Sequence, residues 1–128
     1  MDICIDFDGT CVTHEFPNIG KDVGAVPILK KLVQRGHRLI LFTMRSNKDD
    51  IPYLDDAVQW FQEHEIPLYA IQTNPEQKSW TDSPKAYANL FIDDAALGCP
   101  LKYDRSYSIR PFVDWEKVEQ ELIRRNIL

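Results

Sequence analysis

The 128-residue sequence has no long apolar run, no strongly basic segment and no cysteine spacing typical of a zinc site. Its apolar runs fall well short of the roughly 20 residues that a membrane-spanning helix requires, which argues against a membrane protein. The formal net charge of −5 argues against nucleic acid as a partner, because modules that bind it usually concentrate lysine and arginine. Three cysteines cannot all pair within the chain, and the first residues lack the pattern of a secretion signal, so a reducing cytoplasm is expected.

The remaining composition is that of a small globular domain. Hydrophobic residues make up 44% of the chain and charged residues 27%, enough for a packed core and a charged surface. We find no internal repeat, low-complexity tract or linker. One domain over residues 1–128 is therefore expected.

Apolar segments alternate between strand and helix patterns along the chain. The pattern predicts strands at 3–5 (with Phe7), 38–43, 68–71 and 89–92, and helices at 25–34, 54–64 and 114–126. A fifth strand is expected around 106–109. Nearly continuous apolar strands that alternate with helices indicate an α/β fold with a small, mainly parallel sheet covered on both faces. Residues 12–23 and 72–84 fit no regular element, and the second segment is expected at the carboxyl edge of the sheet.

Two of the predicted helices carry specific expectations. Helix 25–34 is followed by Gly36, which is expected to supply its stop signal. Helix 114–126 is expected to use Asp114 as its N-cap. Its predicted inward side chains are Trp115, Val118, Leu122 and Ile123.

The sharpest functional signal is the segment Asp6-Phe7-Asp8-Gly9-Thr10, at the end of the first strand. Side chains two residues apart on a strand point the same way, so Asp6 and Asp8 are predicted to face one crevice. Gly9 allows the backbone to turn sharply there. Ligands of open parallel sheets bind outside the carboxyl ends of the strands, which makes this position a candidate site.

Three other segments of the chain are predicted to bring polar groups to the same edge. Asp93 and Asp94 follow the fourth strand, and Thr43 follows the second. Lys85 precedes the fourth strand and is favoured over Lys78 as the lysine of the site. Arg45 is interpreted either as a surface charge or as a phosphate-binding group. His14 and Glu15 follow the Asp6–Thr10 segment and are interpreted as a surface pair, with contact to a substrate as the alternative.

This mixture suits phosphoryl transfer. A carboxylate repels a phosphate dianion, so Asp6 can attack phosphorus only if a cation offsets the repulsion. Mg²⁺ held by Asp6 and Asp93 meets that need, since it prefers oxygen ligands. Lys85 and the Thr43 hydroxyl would bind phosphoryl oxygens, and Asp8 would act as general acid and base.

Together, Asp6-x-Asp8-Gly9-Thr10, Thr43, Lys85 and Asp93-Asp94 resemble motifs one to four of the haloacid dehalogenase superfamily, in that order. The resemblance implies a Rossmann-like three-layer α/β/α fold and a phosphatase with Asp6 as nucleophile and Asp8 as acid/base. It also implies a magnesium site made by the Asp6 side chain, the Asp8 backbone carbonyl and Asp93, with Asp94 in support.

The gaps after motifs one and two are too short for a cap domain. The chain is thus similar to the capless subgroup, which implies an open site. The resemblance further implies a phosphorylated substrate, either a small molecule or a macromolecular phosphate, and allows a homo-oligomer.

Two other functions compete with a phosphomonoester hydrolase. A phosphotransferase or mutase of the same superfamily would differ only in the acceptor of the phosphoryl group. A non-catalytic regulator such as a response-regulator receiver would also carry acidic residues, threonine and lysine. Receivers place the phosphorylated Asp after the third strand, however, where this chain has Ile71-Gln72-Thr73. Aromatic stacking of a substrate on Trp80, Tyr53 or Tyr87 is a further possibility, with plain packing as the alternative.

Overall fold

The computed structural model covers all 128 residues and contains a four-stranded parallel sheet, three helices and a small two-stranded sheet. The strands are β1 (Asp2–Ile5), β2 (Arg38–Leu41), β3 (Ala70–Ile71), β4 (Leu90–Ile92), β5 (Leu101–Lys102) and β6 (Phe112–Val113). The helices are α1 (Ala25–Gln34), α2 (Tyr53–Glu63) and α3 (Trp115–Arg124). None of these helices has the length and apolar character needed to cross a membrane.

The helices form where the apolar spacing predicts them. α1 buries Ala25, Ile28, Leu29 and Leu32, which recur at helical spacing. Beyond its end, Gly36 adopts a φ of +88°, a left-handed conformation that favours glycine. α3 begins after Asp114, whose side chain accepts a hydrogen bond from the backbone N–H of Lys117, so the predicted N-cap is confirmed.

The order of the main sheet is β3-β2-β1-β4, and every neighbouring pair is parallel. Because β1 lies between β2 and β4, the residues after β1 lie at the centre of the carboxyl edge. The register places Ile5 beside Ile92. Asp6 and Asp93, the next residue of each strand, therefore emerge side by side.

The two faces of the sheet are covered differently. All three helices join the larger core on one face, packed against Ile3, Ile5, Leu39 and Leu41. On the other face, Cys4 and Ile40 form a smaller cluster with Ala86 of the covering segment 72–88, and Ala88 of that segment packs against it. That covering segment contains one 3-10 turn, Gln77–Ser79. The predicted small α/β fold with a mainly parallel sheet is confirmed, but the layer on the second face is largely irregular chain and not the helical layer that a three-layer α/β/α fold implies.

Two sequence predictions about the C-terminal third are wrong. Residues 106–109 form no strand, because the Asp104 carbonyl and carboxylate accept hydrogen bonds from the amides of residues 106–108 and close a turn. The extra strands are instead β5 and β6, which pair antiparallel. Ile123, expected to face inward, is 55% exposed, while Trp115, Val118 and Leu122 are buried as predicted.

The two gaps in which a cap domain could be inserted, after motifs one and two, hold no domain. Residues 12–23 form a loop with isolated bridges from Val12 to Asp8 and to Asp22. Residues 42–52 form a short connection into α2. The absence of a cap domain agrees with the prediction and leaves the carboxyl edge of the sheet open.

Candidate active site

Three carboxylates meet at the carboxyl edge of the sheet. Asp6 follows β1, and Asp93 and Asp94 follow the neighbouring strand β4. One carboxylate oxygen from each residue lies within 4.8 Å of the others, a spacing that allows all three to hold one metal ion. An all-oxygen set of this kind suits Mg²⁺ or another hard cation.

The electrostatics of this cluster are unfavourable without a cation. The pKa of Asp6 is raised to about 8, mainly by burial and also by the nearby Asp94 and Asp93, whereas a hydrogen bond from Thr10 lowers it. A carboxylate with a raised pKa among other carboxylates gains most from a bound cation, because the cation stabilises its charged form.

Hydrogen bonds fix the positions of Asp6 and Asp94. The Thr10 hydroxyl lies 2.8 Å from an Asp6 carboxylate oxygen, and it accepts a hydrogen bond from the Asp94 amide. His14 Nε2 lies 2.8 Å from Asp94 Oδ2. A side chain at Gly9, where φ is +83°, would put its Cβ 1.9 Å from His14 Nε2, so only glycine leaves room for this contact.

Asp8 does not join the carboxylate cluster. Both of its oxygens accept hydrogen bonds from the Arg45 guanidinium, each at 2.8 Å. The Asp8 backbone carbonyl, by contrast, accepts no hydrogen bond from the protein. Of the two groups, the carbonyl is therefore the one available to a metal, as the resemblance implies.

The interpretation of Arg45 as a surface charge is wrong, because the residue is 2% exposed. Its five N–H donors are all used, by Asp8 and by the carbonyls of Pro17, Asn18 and Tyr53. No donor remains for a phosphate oxygen. The geometry therefore favours contact with the protein over the predicted phosphate-binding role.

Several hydrogen-bond donors near Thr43 and Asp8 have no partner in the protein. The backbone N–H groups of Phe7, Asp8 and Met44 donate to no protein acceptor, and neither does the Thr43 hydroxyl. The Thr43 oxygen accepts from the Arg45 amide at 3.1 Å, which fixes its position. Since backbone N–H groups normally have a partner, these donors are available to a ligand or to solvent.

Both candidate lysines are exposed and neither forms an ion pair. Lys85 Nζ lies 5.7 Å from the centre of the Phe91 ring, on β4, two residues before Asp93. Lys78 belongs to the 3-10 turn that covers the sheet face. Lys85 therefore lies beside a residue of the strand that leads to Asp93, which is consistent with the preference for Lys85.

Comparison with known proteins bears on the family. No family model matches the chain, and no curated protein matches it. Among solved structures, a conserved protein from Bacteroides thetaiotaomicron is 35% identical, with a TM-score of 0.74 over 98% of this chain and 91% of that chain. This chain belongs to the family of that conserved protein. Family membership agrees with the fold. The activity is argued from the residues of the site.

In this member of the family, three residues that sequence reasoning did not assign to the site stabilise it. His14 contacts Asp94 and is mostly buried, so its interpretation as a surface residue is wrong, while Glu15 is exposed as expected. Gln72 exchanges hydrogen bonds with the backbone of Thr43 through both atoms of its amide. Trp115 donates its indole N–H to the Thr10 carbonyl at 2.7 Å. No sequence pattern links these residues to the motifs they contact.

Each of the three aromatic residues considered for stacking on a substrate packs against another aromatic ring. Trp80 and Tyr87 meet edge to face with ring centres 5.6 Å apart, and Tyr53 packs against Phe16 at 5.1 Å. The packing interpretation therefore accounts for all three side chains. A contact of their outer faces with substrate stays a prediction.

Proposed function

We propose that the protein is a magnesium-dependent phosphomonoester hydrolase of the haloacid dehalogenase superfamily, with Asp6 as the nucleophile. The observation that carries the proposal is the meeting of Asp6, Asp93 and Asp94 oxygens within 4.8 Å at the end of the central strand. The raised pKa of Asp6 adds support, because perturbed carboxylates in a crevice are candidate catalytic groups.

The residues present fit Mg²⁺. The Asp6 carboxylate, the free Asp8 carbonyl and Asp93 would hold the ion, and Asp94 would take part through the hydrogen bonds that place it beside Asp6. When bound, the ion offsets the repulsion between Asp6 and a phosphate dianion.

Phosphate would lie between the ends of β1 and β2. The free amides of Phe7, Asp8 and Met44 and the free Thr43 hydroxyl proton are candidate donors to its oxygens. Lys85 would supply a positive charge from the β4 side. Phosphoryl transfer relies on this kind of positioning and charge stabilisation more than on covalent chemistry by the protein.

The reaction would have two steps. In the first, an Asp6 oxygen bonds to phosphorus as the bond from phosphorus to the leaving oxygen breaks, and Asp8 gives that oxygen a proton. In the second, Asp8 takes a proton from water, the water oxygen bonds to phosphorus, and the aspartyl-phosphate bond breaks. Arg45 occupies one lone pair on each Asp8 oxygen, so a second lone pair remains to carry the proton.

The open carboxyl edge bears on substrate and assembly. Without a cap, a macromolecular phosphate can reach Asp6 as well as a small molecule can, and a second copy of the chain can cover the site. A cytoplasmic location is proposed on the three free thiols, of which Cys4 and Cys11 are buried. A mutase or phosphotransferase would use the same residues, and only the identity of the acceptor separates it from a hydrolase.

The direct test is hydrolysis of p-nitrophenyl phosphate with Mg²⁺, with EDTA, and by Asp6→Asn. Slow turnover that requires Mg²⁺ and disappears in Asp6→Asn is expected. Asp82→Asn is a matched control, because Asp82 is exposed and lies outside the site. Full activity in Asp6→Asn would remove Asp6 as the nucleophile, and inactivity of the wild type on a broad panel of phosphate esters would contradict the proposed function.

A further inference from the structure

Arg45 is a buried cation whose hydrogen bonds join three parts of the chain beside the site. Its Nε and Nη2 bind the two oxygens of Asp8, each at 2.8 Å. Nη2 also donates to the Asn18 carbonyl at 2.8 Å, and Nη1 donates to the carbonyls of Tyr53 at 3.1 Å and Pro17 at 3.4 Å. The end of β1, the loop that follows it and the start of α2 thus share one guanidinium.

Aromatic rings confine the same group. The guanidinium carbon lies 5.1 Å from the centres of both the Phe7 and the Phe16 rings. Phe7 is fully buried, whereas Phe16 is 56% exposed. A planar cation held by five hydrogen bonds and two rings has little freedom to rotate, and the carboxylate that it binds is equally restricted.

The backbone of Arg45 is tied to the predicted phosphate-binding residue. Its amide donates to the Thr43 hydroxyl oxygen at 3.1 Å, and its carbonyl accepts from Gln72 Nε2 at 3.1 Å. Arg45 therefore sets the position of Asp8 relative to the end of β2. A phosphate-binding arginine would need a free donor, and Arg45 has none.

We propose that Arg45 is a positioning residue that holds the Asp8 carboxylate, together with loop residues 16–18, on the side of the site where the leaving group departs. This inference rests on the proposed function, because the position of Asp8 matters to a reaction only if Asp8 transfers a proton. It assigns to Arg45 a role in proton delivery rather than in phosphate binding.

The test compares phosphate esters whose leaving groups differ in their need for a proton. p-Nitrophenolate leaves without one, whereas the alkoxide of glycerol 2-phosphate requires one. General acid catalysis is typically worth about 10²–10⁴-fold, so a misplaced Asp8 costs most with the alkyl ester. Both esters share the later hydrolysis of the aspartyl-phosphate, in which Asp8 also acts, so the comparison uses kcat/KM, which reports the step in which the leaving group departs. Arg45→Lys is expected to lower kcat/KM for glycerol 2-phosphate at least about tenfold more than kcat/KM for p-nitrophenyl phosphate.

Arg38→Lys is the matched control. Arg38 also binds a carboxylate through two nitrogens, at 2.7 and 3.0 Å, but its partner is Asp2 at the opposite end of β1. This variant is expected to lower kcat/KM for both esters by the same factor or not at all. A general loss of stability would lower the activity of a variant on both esters by the same factor.

Phe16→Ala tests the same role without removing a hydrogen bond of Arg45. Because the Phe16 ring is 56% exposed, its removal is expected to leave the protein folded. This variant therefore provides the test if Arg45→Lys does not fold. A smaller loss in the same direction is expected.

Three results would overturn the inference while leaving the hydrolase proposal intact: an equal loss of kcat/KM on both esters, no loss on either ester, or the same leaving-group dependence in Arg38→Lys. An inactive wild type would instead remove the proposed function, and the role of Arg45 with it.

Discussion

Replacing Asp6 by asparagine is expected to stabilise the protein when no divalent cation is present. In the unfolded chain Asp6 ionises freely, whereas in the folded protein its pKa is about 8. At pH 7 the folded state must therefore keep an unfavourable charge or bind a proton. Linkage between the two pKa values gives a cost of about 4 kcal/mol. Coulomb repulsion supports this scale, since two charges 4.8 Å apart interact by about 3 kcal/mol at an effective dielectric of about 20.

Asparagine removes the charge and keeps an oxygen that can accept the Thr10 hydrogen bond. Allowing for imperfect packing of the amide, we expect the free energy of unfolding to rise by about 2–3 kcal/mol in EDTA. For a domain of this size the change corresponds to a Tm increase of roughly 6–10 °C. Calorimetry or thermal-shift measurements at pH 7 in EDTA will check this, with Asp82→Asn as the control.

Addition of Mg²⁺ should make the wild type more stable than Asp6→Asn. The wild type is expected to gain stability by mass action, and Asp6→Asn to gain little. The contribution of Asp6 to stability is present below about pH 4, its pKa in the unfolded chain, and is lost as the pH rises through about 8. Protons compete with the cation, so the stabilisation by Mg²⁺ should be larger at pH 8 than at pH 6. A lower Tm of Asp6→Asn in EDTA, or equal stabilisation of both proteins by Mg²⁺, would refute this reasoning.

Three further predictions concern the residues that stabilise the site and the sheet. Arg45→Met should lower the free energy of unfolding by about 3–5 kcal/mol in urea denaturation, because it leaves Asp8 partly buried and unpaired, and Asp8→Asn should cost much less in that background. Trp115→Phe should cost about 1–3 kcal/mol, through the lost hydrogen bond to the Thr10 carbonyl, and should weaken the Mg²⁺-induced rise in Tm; an unchanged rise would mean that Thr10 is held by other contacts. Hydrogen bonds from Arg38 lower the pKa of Asp2, so the stability that Asp2 contributes is lost as the pH falls through this lowered pKa. Between pH 5 and pH 2 the Tm of the wild type should therefore fall more steeply than the Tm of Asp2→Asn.

The parts of the fold that the sequence predicts well depend on local patterns. Helix 25–34 matches α1 at both ends, because its apolar spacing and Gly36 are signals within a few residues of each other. The four main strands and their parallel direction follow from short apolar runs that alternate with helices. The error at residues 106–109 also has a local cause, because Asp104 forms a turn there. Two-residue strands such as β5 are too short to show a sequence pattern.

The candidate site divides in the same way. The positions of Asp6, Asp93 and Asp94 follow from the rule that parallel strands end at one edge, and the structure brings all three together. The partner of Asp8 is 37 residues away and belongs to a loop, and the contacts of His14 with Asp94 and of Gln72 with Thr43 span 80 and 29 residues. Contacts of this kind depend on how loops pack after the strands have formed, and one sequence carries no periodic signal for them.

A crystal structure of the protein with Mg²⁺ and beryllium trifluoride, a mimic of the phosphoryl group, tests the central claim most directly. The account predicts beryllium bonded to an Asp6 carboxylate oxygen, fluorides hydrogen-bonded to the amides of Phe7 and Asp8 and to Thr43, and Mg²⁺ bound by Asp6 and Asp93. Mg²⁺ bound away from Asp6, or the mimic bonded to a different residue, would contradict it.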